Sequence, residues 1–259
     1  MKARIIAVAN HKGGVGKTTT TSSLGSILAA KGYKVLLIDL DAQANLTTSL
    51  TPSVDGDTIY EAMTGKTGAL PTVAIQDRLH LVPASLTLAM ADVELSAAIA
   101  RERILSDLLV RNGATDEYDF ILFDCPPSLG LMTLNAFTAS TDILIPLVAE
   151  VLPFKGLTMI NDFIKMVQSR LNPQAHVCGI LITRWEASNL SKGIENNLRQ
   201  AMGETVFHTK IRKNVRLAEA PLENANIVDY DPKSNGAKDY QAFAGEFLAR
   251  MGAGKKEGL

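Results

Sequence analysis

The chain has 259 residues, 46% of them apolar and 20% charged, with a net charge of −1. That balance suits one large α/β domain with a full core and excludes a low-complexity chain. No apolar run approaches the roughly 18 residues that a membrane span needs, and Met1–Arg4 enters the first strand with no room for a signal peptide.

Ile5–Ala9 reads as a buried parallel strand. It runs into Lys12-Gly13-Gly14-Val15-Gly16-Lys17-Thr18-Thr19, followed by helical spacing at Leu24, Ile27 and Leu28 that stops at Lys31-Gly32. Strand, glycine-rich loop, helix is the context of a phosphate-binding loop. Glycines let the backbone N–H groups face anionic oxygens, and the helix N-terminus adds its positive dipole end. Lys17 is then placed to reach the β- and γ-phosphates, and the Thr18 hydroxyl to hold magnesium.

Tyr33–Asp39 is a second buried strand ending in a carboxylate, and Leu40–Asn45 is a loop beside the phosphate site. Ligands of parallel sheets bind at the carboxyl ends of strands, so Asp39 and Asp41 are placed for metal or water chemistry. Residues 51–78 read as irregular, with a short helix near Ile59–Met63. Leu79–Pro83 reads as a strand; Leu86–Leu95 and Glu102–Val110 read as helical, and His80 as structural. Tyr118–Asp124 is another apolar strand, which delivers Asp124 to the magnesium shell in the manner of a Walker B segment. Cys125-Pro126-Pro127-Ser128 is a stiff turn after it. Cys125 and Cys178 lie far apart and read as reduced core residues of a cytosolic protein.

Asp142–Leu147 is a strand, and Gly156–Leu171 an amphipathic helix burying Leu157, Ile160, Ile164, Val167 and Leu171. The strand Val177–Thr183 empties into Arg184-Trp185-Glu186. A helix from Ser191 buries Ile194, Leu198 and Met202, with Lys192 and Arg199 together on one side. The last helix buries Tyr240, Phe243 and Phe247. The alternation implies one doubly wound, mostly parallel sheet flanked by helices. Residues 1–251 form a single domain and 252–259 a flexible tail. Residues 1–150 carry 11 Lys+Arg against 16 Asp+Glu, whereas residues 151–259 carry 15 against 11. The second half therefore hints at a polyanion-binding face, for which Arg184, Lys192, Arg199, Arg212, Lys213 and Arg216 fall in adjoining elements.

The loop departs from the ordinary P-loop: His11 stands where glycine is usual, and a second lysine, Lys12, stands at the front. Lys12–Thr19 resembles the deviant phosphate loop (deviant Walker A) of the ParA/MinD class of P-loop ATPases. Asp39-Leu40-Asp41-Ala42-Gln43-Ala44-Asn45 is similar to that family's Asp-x-Asp-Pro-Gln-x-Asn run, with Ala42 in place of proline. Asp124-Cys125-Pro126-Pro127 resembles its second switch. Lys210–Pro221 and Asp229–Ser234 resemble signatures of the chromosomal, Soj-like ParA branch. The resemblance spans about residues 4–250.

It implies an ATPase that uses ATP and Mg2+, works as an ATP-dependent homodimer, and is slow until a ParB-like protein stimulates it. Lys12 would complete the partner's site, Asp41 would position the attacking water, and Asn214 would lie against the adenine. The family usually has proline where Arg212 stands. Thr18, Asp39 and Asp124 would serve the magnesium. Relatives often read Arg-Thr-Asn-Leu where this chain reads Ala187-Ser188-Asn189-Leu190, and Arg184 stands in for that arginine. The implied role is non-specific binding to double-stranded DNA, in the cytoplasm on the nucleoid, segregating chromosome or plasmid DNA. Three alternatives use related loops: an ATPase that positions a protein cargo over the nucleoid, a MinD-like membrane-surface ATPase, and an iron–sulfur carrier. The tail after Met251 is glycine-broken and too short for a membrane-surface helix, and the cysteines are not placed to bridge a cluster. Only eleven residues precede Lys12, so an N-terminal repressor domain is not expected.

Overall fold

The computed structural model describes residues 2–150 and 153–253. Among them, eight strands form one sheet: β1 (Arg4–Val8), β2 (Val35–Asp39), β3 (Val73–Gln76), β4 (Leu79–Val82), β5 (Phe120–Asp124), β6 (Asp142–Val148), β7 (His176–Trp185) and β8 (Val206–Arg212). Their spatial order is β3-β4-β2-β5-β1-β6-β7-β8. The β3–β4 pair is antiparallel, and the other pairs are parallel. β2 and β5 are buried along their whole length, as expected of central strands covered on both faces.

Twelve helices among the described residues cover the sheet. In chain order they are α1 (Lys17–Ala30), α2 (Asn45–Leu50), α3 (Ile59–Met63), α4 (Ala91–Glu94), α5 (Ile104–Arg111), α6 (Ala114–Glu117), α7 (Leu131–Ala139), α8 (Pro153–Arg170), α9 (Asn189–Met202), α10 (Arg216–Glu219), α11 (Ile227–Tyr230) and α12 (Asn235–Arg250). On one face α1, α2, α11 and α12 enclose a core containing Leu24, Leu28, Leu37, Phe243 and Phe247. On the other, α3, α5, α7, α8 and α9 enclose Tyr60, Leu108, Phe137, Ile164 and Leu198. None of the described helices is long and apolar enough to cross a membrane.

Topology builds the site. β1 lies between β5 and β6, and β5 lies between β2 and β1. The parallel register sets Asp39 beside Asp124 and Asp124 beside Val8. Two carboxylates and the start of the glycine loop therefore meet at the carboxyl ends of three central strands. On the β7 side, Gly179 leaves no room for a Cβ, which would stand 2.2 Å from a Phe207 ring carbon. Phe207 in turn meets Phe243 edge-to-face, with centroids 4.9 Å apart. This packing locks β8 and α12 together and holds the segment after Arg212.

Several elements differ from expectation. Val73–Gln76, inside a stretch that reads as irregular, is an edge strand whose ladder shifts between Ala74 and Gln76. Four residues, two of them exposed and two half-buried, are too few to carry a clear periodicity. Val206–Arg212 is a further edge strand, so the signature beginning at Lys210 is extended before it turns helical at Arg216. Leu86–Met90 is a 3₁₀ turn leading into α4. α9 begins at Asn189 because Ser188 caps it, accepting from the Ser191 amide. Met202 is 37% exposed, not buried, because it sits in the last turn before Gly203. Gly252 and Ala253 follow α12, and residues 254–259 of the expected tail lie outside the described residues.

Candidate nucleotide site

Gly14 and Gly16 adopt φ of 71° and 84°, in the left-handed region that a side chain disfavours. The loop is stitched to the sheet on both sides. Asn10 donates from Nδ2 to the Pro146 carbonyl at 2.7 Å and accepts the Lys12 amide at 3.1 Å. The Thr183 hydroxyl donates to the Val15 carbonyl at 2.8 Å. α1 starts directly at Lys17 with no side-chain cap, so its first-turn N–H groups are available to an anion. Lys17 is buried at 7% exposure. Its Nζ has only a long contact, 3.4 Å, to the Lys12 carbonyl among the described residues.

The carboxylates divide the work. Asp124 accepts the Thr18 hydroxyl on Oδ2 at 2.6 Å. Its Oδ1 is buried with no hydrogen-bond partner among the described residues. Burial, then the charge of Asp39, pushes the Asp124 carboxyl well above the usual carboxylate range. Asp39 is fully buried, and burial raises it to about 6 despite the hydrogen bonds that oppose the shift. Both of its oxygens are occupied. Oδ2 accepts the Thr47 amide and hydroxyl at 2.9 and 2.8 Å, and Oδ1 accepts the Asp41 amide at 3.1 Å. Asp39 therefore clamps the loop that carries Asp41, which stands at the cleft and accepts the Gln43 amide.

A magnesium ion fits this donor set. The described residues hold no cluster of three or more His, Cys, Asp or Glu suited to a metal. Magnesium needs none, because it keeps waters and phosphate oxygens and takes one or two protein ligands. The unpartnered Asp124 oxygen beside the Thr18 hydroxyl offers such a place.

A cleft of about 640 Å³ runs from the loop to residues 211–215, 217 and 218, and includes Asn214. The Asn214 side-chain oxygen Oδ1 is used locally, accepting the Arg216 amide at 2.9 Å. Lys17 lines this cleft and Lys12 does not. Lys12 instead pairs with Glu150, both half-exposed. The six basic residues named from the sequence separate. Arg184, Arg212 and Lys213 line the cleft. Arg212 is bidentate on Asp239 at 2.7 and 2.9 Å, and Lys213 pairs with Glu186 at 2.8 Å. Arg199 is partly buried against Glu195 and the Phe207 carbonyl. Arg216 pairs with Glu219 at 2.7 Å and lies 3.6 Å from Asp231. Lys192 is exposed on α9.

Thr47, Glu150, Thr183 and Asp239 were not singled out from the sequence. Glu150, Thr183 and Asp239 act through partners remote in the chain, Thr47 acts through Asp39 eight residues before it, and a lone threonine or acid carries no motif. His80 meets the Tyr118 hydroxyl at 2.7 Å, a structural contact as expected. Cys125 and Cys178 are buried free thiols, and burial pushes both up.

A family model described as an AAA domain matches residues 3–177. The chain is 39% identical over 253 residues to the chromosome-partitioning ATPase Soj of Treponema pallidum, covering 96% of this chain and 98% of that one. It is 36% identical over 252 residues to the chromosome partitioning protein ParA of Caulobacter vibrioides, covering 95% and 94%. Among solved structures it is similar to a Mycobacterium smegmatis protein described as cobyrinic acid a,c-diamide synthase with bound ATP analogue and magnesium. That likeness has 32% identity and a TM-score of 0.84, and covers 98% of each chain. With its two-lysine loop, paired strand-end carboxylates and full-length likeness to Soj and ParA, the chain belongs to the Soj/ParA family of the ParA/MinD class of P-loop ATPases.

Proposed function

We propose that the chain is a DNA-partitioning ATPase that binds ATP with magnesium, dimerises on ATP, and in that state binds duplex DNA without sequence preference. A ParB-like partner stimulates its turnover. The reaction is attack of water on the γ-phosphate, in which the protein positions groups and neutralises charge. Lys17 and the amides of Gly13–Thr19 hold the phosphates. Thr18 and Asp124 face the magnesium, and Asn214 the base. Magnesium held there would neutralise charge developing on the phosphates. Asp41 orients the water, and Asp39 is a positioning residue that holds the Asp41 loop through Thr47. DNA contacts fall to the cations outside the cleft, Lys192, Arg199 and Arg216.

The observation that carries the dimer is the division of the two loop lysines. Lys17 serves its own cleft, whereas Lys12 projects beside Glu150, outside the cleft lining. That ion pair is exposed and therefore weak, so a second copy's phosphates can take Lys12 from Glu150. Lys12→Ala should bind ATP and fail to hydrolyse it. Mixing it with Asp41→Ala should restore activity, because one site of the mixed dimer then has every part. Full hydrolysis by Lys12→Ala alone would remove the trans role.

A further inference from the structure

Arg184 is the cleft cation outside the phosphate loop that has no carboxylate within ion-pairing distance among the described residues. The other two such cations are neutralised, Arg212 by Asp239 and Lys213 by Glu186. Arg184 is the penultimate residue of β7, whose end pairs with that of β8 at Trp185 and Arg212. It thus stands between the phosphate loop and the segment carrying Asn214. Its φ is 50°, a left-handed conformation disfavoured for a residue with a side chain. That conformation is braced on both sides. The Thr183 hydroxyl holds the Val15 carbonyl, and the Lys213 amide donates to the Trp185 carbonyl at 3.1 Å. The guanidinium reaches the loop itself, with Nη1 3.4 Å from the Gly14 carbonyl. So long a contact leaves most of the five donors free.

A planar fork of unused donors, set beside a phosphate loop, suits an anionic ligand. We infer that Arg184 is a nucleotide-binding residue acting in cis. It donates to the part of the nucleotide common to ATP and ADP, on the nucleoside side of the phosphate chain. This rests on the proposed ATP site and moves Arg184 from the DNA face to the nucleotide.

Titration calorimetry with magnesium and ATP, or magnesium and ADP, tests it on the full chain. Arg184→Met should weaken both nucleotides about tenfold, as loss of a charge-assisted hydrogen bond does at a partly solvated site. Arg184→Lys should recover part of the loss. Arg184→Gly accommodates the positive φ without strain, so it should keep the fold and show the same loss as methionine. The difference from wild type should shrink at high salt, because exposed charges are screened. With nucleotide raised to saturation, duplex binding should match wild type. Unchanged nucleotide affinity in the methionine and glycine variants would overturn the assignment, and so would a loss confined to ATP. Failure of the wild-type chain to bind ATP in the same titration would instead refute the ATP site.

Discussion

Lys17→Ala separates binding from folding. In the free protein the Lys17 ammonium is buried with one long contact and no carboxylate within 4.0 Å among the described residues. Its removal should therefore change the stability of the free protein by only about 1 kcal/mol. With nucleotide bound, the same ammonium faces two phosphates. Two charge-assisted hydrogen bonds at about 1.5–3 kcal/mol each correspond to about a 10²–10⁴-fold loss of affinity. Thermal melts read this directly. Wild type with ATP and magnesium at about 100 times Kd gains about 2.7 kcal/mol. For a chain of this size that is about 5–10 °C in Tm. Lys17→Ala should melt near wild type without nucleotide and gain at most about 0.4 kcal/mol, about 1 °C, at the same ATP concentration. An equal nucleotide-induced shift in the variant would refute the phosphate-loop geometry.

Asp41→Ala should bind ATP and magnesium and accumulate as an ATP-bound dimer on DNA, because the proposed water-orienting role makes the carboxylate dispensable for binding. Sedimentation at saturating ATP showing only monomer would oppose both its role and the dimer. Gly179→Ala should destabilise the free protein by about 1–3 kcal/mol, since its Cβ would meet the Phe207 ring and Phe243 blocks retreat. Denaturant unfolding at wild-type stability would contradict that packing. Arg216→Glu should break the pairing with Glu219 and Asp231, keep dimerisation, and weaken binding to any duplex sequence alike. For every DNA phosphate that the variant no longer neutralises, the slope of log affinity against log salt should fall by about 0.9.

Much of the site was readable from residue order. Apolar runs ending in Asp39 and Asp124 mark strands that deliver carboxylates, and the sheet register sets those two side by side. The Lys12–Thr19 loop announces itself because only glycine suits its left-handed positions. The edge strands β3 and β8 were less readable, since short, half-exposed segments carry weak periodicity. The fate of the basic residues was not readable at all. Arg212 is neutralised by Asp239, 27 residues away, and Lys12 by Glu150, 138 residues away. Spacing on one helix or loop contains no trace of such partners. A cation that looks available to DNA can thus line the nucleotide cleft instead, as Arg184 does.

The ATP switch is tested most directly by duplex DNA binding across a salt series, with ATP, with ADP and without nucleotide. Two basic patches on one rigid dimer should bind far more tightly than one. Binding should therefore be strong only with ATP, indifferent to sequence, and linear in log affinity against log salt. Equal binding in the three nucleotide states, or strong preference for one sequence over random duplex, would contradict an ATP-switched, non-specific DNA binder.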